Sequence, residues 1–238
     1  MTGFYTSCKR ITDVAMALLG ILVFLPFGLL IAGLLRVTGE GEVFYRQKRV
    51  GRGGALFGVL KFATMLKDSP KLGSGSITLR GDPRVLPVGR VLRKTKLNEV
   101  PQLWNILTGE MSVIGPRPMT REDFSYYSRE VGERIVSVTP GLTGVGSIIF
   151  RDEESIIAAS GRHWLDCYEN EISPYKGQLE LWYIERRSLW LDLQVFLLTA
   201  WVVFSPSSDL PRRVWRDLPP LPPGLADPVG AGSSAQGA

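Results

Sequence analysis

The chain has 238 residues, 45% of them hydrophobic and 21% charged, with a net charge of +5. That is enough for one large domain or two small ones, and too apolar for an intrinsically disordered protein. Two cysteines, Cys8 and Cys167, exclude a disulfide scaffold and a thiolate-rich metal cluster, and the single histidine, His163, excludes a His-based zinc site. The basic balance favours polyanionic partners: nucleic acid, anionic lipid or phosphorylated ligands.

Taking the chain in order, Val14 to Leu35 carries no charged side chain, with Lys9 and Arg10 before it and Arg36 after it. About 20 apolar residues in a helix suffice to span a bilayer. The run is too long for a signal peptide and no small-x-small cleavage site closes it. Pro26 lies in its middle, so a kink or break is expected there. Either the helix spans with a kink, or it bends back as a re-entrant hairpin with both ends on one side. Basic residues on both flanks lean towards two cytoplasmic ends.

The remaining pattern predicts an α+β, mainly helical fold. Residues 43–65 read as a β-hairpin turned by Gly51, Gly53 and Gly54. Residues 67–83 read as an exposed loop and 87–96 as a short basic helix. A second helix is expected from Asn98 to Leu107, stopped by Gly109 and the GPRP segment at 115–118. A longer polar helix is expected over 120–136, a turn at TPGLTG (139–144), an extended stretch at 148–150, and helices over 152–171 and 174–187. Ser188 to Phe204 is apolar and Trp-flanked, and reads as an interfacial amphipathic helix. Beyond Ser205 the Pro-, Gly- and Ser-rich tail is expected to be disordered.

Four stretches could carry chemistry. The first is basic and glycine-rich, Arg46 to Gly54, followed by Lys61, Arg80, Arg84, Arg90, Arg93, Lys94 and Lys96. Guanidinium forks and glycine turns suit phosphate oxygens, although no P-loop is present. A solvated face or contact with anionic headgroups would read the same way. The second is Leu97-Asn98-Glu99-Val100-Pro101. Asn98 reads as an N-cap, which would set the Glu99 carboxylate at the positive end of a helix dipole. The third is Pro116-Arg117-Pro118, a stiff loop that aims one guanidinium at a phosphate or carboxylate. The fourth is Arg151, ahead of the acidic start of a helix. A nucleic-acid role rests on the basic stretch alone, since no DNA-reading helix or RNA motif accompanies it, so no nucleic-acid partner is expected.

Together these blocks resemble the bacterial sugar transferases, and more closely the monotopic polyprenol-phosphate phosphoglycosyl transferases. The resemblance covers residues 8–204. It rests on KRITD at 9–13, the apolar run with its central proline, FYRQKRVG at 44–51, KFATM at 61–65, GDPR at 81–84, the block GRVLRKTKLNEVPQLWNILTGEMSVIGPRP at 89–118, and TPGLTG at 139–144. It implies an N-terminal re-entrant membrane helix over 1–36 broken at Pro26, a transferase domain over 37–204 on the cytoplasmic face of the bacterial inner membrane, and a possible homodimer. It also implies transfer of a sugar 1-phosphate from a nucleotide diphosphate sugar, UDP by default, to undecaprenyl phosphate, supported by Mg²⁺.

Three positions depart from the family pattern. Asn98 stands where the family carries its covalent nucleophile, an aspartate. Ala63 stands where arginine is usual, and the continuation at 144–154 differs. An amide is neither a carboxylate nucleophile nor an anionic metal ligand. Glu99 is therefore assigned the catalytic and metal-binding role, beside Asn98. Arg93, Arg117, Arg151 and Lys61, with Pro116 and Pro118, are assigned to substrate binding. Three outcomes are compatible with Asn98: Glu99 as the nucleophile, direct attack by the polyprenol phosphate, or a catalytically silent membrane scaffold of the same fold.

Overall fold

The computed structural model describes residues 2–38, 40–69, 82–205, 208–222 and 225. The fold is mainly helical with two small two-stranded sheets. It divides into two compact units, one running from the N-terminal helix to Val113 and the other from Ile114 onward, with the turn Arg52–Gly54 grouped with the second.

In the first unit, α1 (Thr2–Val37) is one long helix that continues through Pro26, where a break was expected. Most of its apolar side chains are exposed, Leu22 and Leu30 among them. A polar stripe at its start is fixed to the rest of the unit. Arg10 donates to the carbonyls of Ile106 (2.6 Å) and Leu107 (2.8 Å). Asp13 accepts from the Val113 N–H at 3.0 Å and pairs with Lys9 at 3.7 Å. The other end is held as well: Leu35 is buried with Phe62 and Leu92, with Ile31 packed against them.

The predicted hairpin is present, β1 (Phe44–Val50) pairing antiparallel with β2 (Leu56–Phe62). Gly53 and Gly54 supply the positive φ angles of its turn. The basic helix is α2 (Pro87–Lys94), started by its proline. It lies close to the strand exit, where a Cβ on Gly89 would collide with the Thr64 carbonyl.

The helix expected from Asn98 begins later. Residues Leu97–Glu99 form a 3₁₀ turn, and α3 runs from Gln102 to Thr108, with Pro101 at its N-cap and Gly109 (φ 86°) ending it. Asn105 of α3 accepts from the Leu60 N–H at 3.0 Å and donates to the Gly58 carbonyl at 2.9 Å, which ties α3 to β2.

β3 (Ser112–Ile114) ends as the second unit begins and leads into Gly115, whose N–H donates to the Thr143 carbonyl at 3.0 Å in β4 (Gly141–Thr143). The TPGLTG segment is thus partly a strand. The polar helix expected over 120–136 is two helices, α4 (Arg121–Ser125) and α5 (Arg129–Ile135), each started by a side-chain cap, from Thr120 and Ser128. Residues 148–150 are helical rather than extended, closing α6 (Val145–Ile149). Then follow α7 (Glu153–Ala159), α8 (Trp164–Cys167), a π-turn over Tyr168–Ile172, and α9 (Ser173–Arg186).

α10 (Leu189–Phe204) matches the expected helix and is two-faced. Leu191, Val195, Leu198 and Val202 are buried, while Trp190, Leu197, Trp201 and Phe204 are exposed. Residues 208–222 are packed rather than disordered. They form α11 (Leu210–Val214) and a strap across α9 and α10. Trp215 is buried beside Trp182 and donates to Gln194 at 3.2 Å, the Trp182 indole donates to Asp217 at 3.2 Å, and the Tyr175 hydroxyl donates to the Pro219 carbonyl at 2.8 Å. Arg80 and most of the loop expected over 67–83 lie outside the described residues, as does the end of the tail.

Candidate active site

The predicted residues fall into two groups, one in each unit. In the first unit, β2 carrying Lys61 and α2 carrying Arg93 both pack against the Leu97–Glu99 turn. The turn starts at Lys96, a left-handed residue (φ 61°) and the one non-glycine with positive φ among the described residues. Such a conformation costs about 1–3 kcal/mol and persists where the surroundings fix it. It delivers Asn98 inward and leaves Glu99 half-buried.

Asn98 is not the N-cap that the sequence suggested. It is buried inside the 3₁₀ turn, and its Oδ1 has no hydrogen-bond partner. One turn on, buried Gln102 leaves its Nε2 without a partner too. Unpaired buried polar atoms cost about 1–3 kcal/mol each, so two this close in sequence mark a place built for something other than fold stability. Lys61 approaches Gln47 at 3.5 Å, and Arg93 lies 3.9 Å from the Met65 sulfur. Arg84, grouped above with the phosphate-binding cations, is instead structural. It is buried against Asp82 (2.6 Å) and donates to the Ser69 carbonyl at 2.9 Å. The Asp82 carboxylate holds its pKa above the ordinary value.

The second group is built around the GPRP loop. Gly115 and Gly141 meet backbone to backbone, and a Cβ on either would strike the other segment. The Gly141 N–H donates to the Pro116 carbonyl at 2.8 Å. Pro116 and Pro118 are buried and Arg117 between them is half-buried, so the two rings stiffen the backbone that carries the guanidinium. Arg151 follows α6 and is also half-buried. Burial pushes its pKa down, only partly offset by Asp152. A guanidinium does not deprotonate in proteins, so this is a cation short of compensating charge.

Sequence reading missed Glu180. It lies on α9, 4% exposed, and hydrogen-bonds the backbone of Arg117. Burial pushes its carboxyl up to about 8, with Arg117 and Lys176 pulling the other way. The only trace in sequence is an acid between Leu179 and Leu181 in an apolar stretch.

Among the described residues no cluster of three or more metal-ligating side chains occurs. Mg²⁺ needs none. It is commonly held by one or two protein oxygens together with substrate phosphates and water. The Leu97–Glu99 turn carries two oxygen-bearing side chains, the Glu99 carboxylate and the buried Asn98 amide, of the kind such a site uses.

A chain with an exposed apolar N-terminal helix and an arginine-bearing loop set by glycine-to-backbone contacts is suited to anionic ligands. Comparison with known proteins gives the class. The chain belongs to the bacterial sugar transferase family, whose sequence model matches residues 4–206.

Its relatives are more specific. It is 37% identical over 161 residues to the exopolysaccharide production protein ExoY of Sinorhizobium fredii, covering 62% of this chain and 71% of that protein. It is 35% identical over 196 residues to the UDP-glucose:undecaprenyl-phosphate glucose-1-phosphate transferase of Caulobacter vibrioides, covering 81% and 68%. It is 32% identical over 210 residues to the undecaprenyl-phosphate galactose phosphotransferase of Salmonella typhimurium, covering 82% of this chain and 40% of that protein.

Proposed function

We propose that the protein transfers a sugar 1-phosphate from a nucleotide diphosphate sugar, a UDP-sugar by the names of its relatives, to undecaprenyl phosphate, an opening step of exopolysaccharide assembly. The observation that carries the reading is the Leu97–Glu99 turn. It presents Glu99 and an unpartnered, buried Asn98 oxygen at the position where the family keeps its reacting carboxylates.

An amide is no nucleophile, so the attack passes to the lipid. A polyprenol-phosphate oxygen, already ionised at neutral pH, attacks the sugar-bearing phosphorus. The bond from that phosphorus to the bridging oxygen breaks, and nucleoside monophosphate leaves with the electron pair. No proton has to move and no enzyme-bound adduct forms. Phosphoryl transfer of this kind is catalysed by positioning and charge neutralisation. Within the second unit, Arg117 and Arg151 are cations whose planar donor forks suit the diphosphate oxygens. Within the first unit, Arg93 and Lys61 add positive charge beside the turn. Glu99, with the Asn98 oxygen, would hold Mg²⁺, which when bound neutralises phosphate charge and stabilises a leaving phosphate.

The lipid substrate explains the anchor. Both ends of α1 are held by the same unit, through Arg10 and Asp13 at one end and Leu35 at the other. The exposed apolar side chains of α1, Leu22 and Leu30 among them, suit contact with lipid, while the helix itself runs unbroken through Pro26. The re-entrant, monotopic placement on the cytoplasmic face of the inner membrane rests on the family resemblance alone. The exposed face of α10, with Trp190 and Trp201, suits the headgroup level.

The test is release of nucleoside monophosphate from a panel of nucleotide-sugars by the full chain, with Mg²⁺, in vesicles with and without undecaprenyl phosphate. Lipid-dependent release is expected, falling at least ~100-fold in Glu99→Gln. A silent wild type beside an active Asn98→Asp would overturn the reading in favour of a scaffold.

A further inference from the structure

The GPRP loop is fixed in two ways. Up to Pro116 it is held by backbone contact with the 139–144 segment, through the Gly115 and Gly141 hydrogen bonds. From Arg117 the support changes. The Arg117 backbone is hydrogen-bonded to Glu180, which rises from α9 beneath the loop.

The space around that carboxyl depends on one glycine. A Cβ on Gly146 would lie 2.6 Å from Glu180 Oε1. Gly146 thus lets the first turn of α6 close over the acid. Glu180 Oε2 is buried and has no hydrogen-bond partner. An apolar side chain at this place would fill the space without the cost of burying a carboxyl. What only the acid supplies is an oriented acceptor directly under the arginine.

We propose that Glu180 is the positioning residue of Arg117, its buried carboxyl fixing the backbone from which the guanidinium reaches the diphosphate of the nucleotide-sugar. The proposal rests on the reading of Arg117 as a phosphate ligand, given above. It adds a residue that touches no substrate and acts through the loop alone. Gly146 belongs to the same device, because a methyl there would displace the carboxyl.

The experiment compares Arg117→Ala, Glu180→Ala, Glu180→Gln and the double variant Arg117→Ala/Glu180→Ala, as full chains in vesicles with undecaprenyl phosphate and Mg²⁺. Arg117→Ala is expected to lower kcat/KM for the nucleotide-sugar at least ~100-fold. Glu180→Ala is expected to lower it ~10-fold or more, mainly by raising KM, and Glu180→Gln, which keeps an acceptor oxygen, restores most of that loss. The double variant is expected to be no worse than Arg117→Ala, because the acid acts only through the arginine. If Glu180→Ala does not fold, the Gln variant and Gly146→Ala carry the comparison, with Gly146→Ala raising KM like the lost acid. Losses that multiply in the double variant, or a Glu180→Ala enzyme with wild-type kcat/KM, overturn the proposal while leaving the role of Arg117 intact. An Arg117→Ala enzyme with wild-type kcat/KM overturns the reading of Arg117 and the proposal with it.

Discussion

Replacing Glu180 with glutamine should make the protein more stable, increasingly so as pH rises. The carboxyl is raised from 4.5 to about 8 in the folded state by burial. Below the ordinary value both folded and unfolded chains hold the proton, and the acid behaves as a neutral group. As pH rises from there, the unfolded chain releases the proton while the folded one keeps it, so stability falls. Above about 8 both states are ionised and the loss is complete. Each pH unit in this window is worth roughly 1.4 kcal/mol. The upper bound on the loss is therefore roughly 3 kcal/mol at pH 7 and roughly 5 kcal/mol above pH 8. Glutamine has the same shape, keeps the acceptor for Arg117 and does not titrate. For a chain of this size 1 kcal/mol moves Tm by about 2–4 °C. Thermal unfolding of wild type and Glu180→Gln in the same detergent at pH 5, 7 and 8.5 should show curves that nearly coincide at pH 5 and separate by about 10 °C at pH 8.5. A constant gap at all three values, or a variant less stable than wild type at pH 8.5, would refute the reasoning.

Three other perturbations test the supporting structure. Asp82→Ala strands the buried Arg84 guanidinium, which holds both Asp82 and the Ser69 carbonyl. It should cost about 3–5 kcal/mol, read by denaturant unfolding. Trp215→Ala removes the strap's anchor against Trp182 and Gln194. It should cost about 3–5 kcal/mol and make residues 208–222 the first site of limited proteolysis. Arg10→Ala removes the two carbonyl contacts at the end of α3. About 2 kcal/mol of stability should go, with faster hydrogen exchange at Leu107 and Thr108.

The hairpin at 44–62, the basic helix α2 and the apolar helix α10 were legible because their signals are local: alternation, glycines in a turn, a proline at a helix start. The helix expected over 120–136 divides because Thr120 and Ser128 each cap a new turn. Other features depend on contacts between distant residues. TPGLTG contains a strand because Gly115 lies against Gly141, which spacing does not reveal. The tail reads as disordered by composition, yet Trp215, Asp217 and Pro219 find partners on α9 and α10. Asn98 suits an N-cap by type, but the left-handed Lys96 turns it inward, and α3 starts at Gln102 instead. Of the arginines that charge alone grouped together, Arg84 is consumed by Asp82, whereas Arg117, read from its two flanking prolines, does lie between two buried rings. Glu180 was missed because an acid on a helix reads as surface until its neighbours are known.

The central claim is direct transfer to the lipid, with Asn98 in place of a nucleophilic carboxylate. The measurement that bears on it most directly is single-turnover release of nucleoside monophosphate, at enzyme concentrations comparable to the nucleotide-sugar, without undecaprenyl phosphate. The account predicts no release until the lipid is added, and no sugar phosphate on the protein. A burst of one monophosphate per enzyme in the absence of lipid would contradict it, and would assign the covalent role to Glu99.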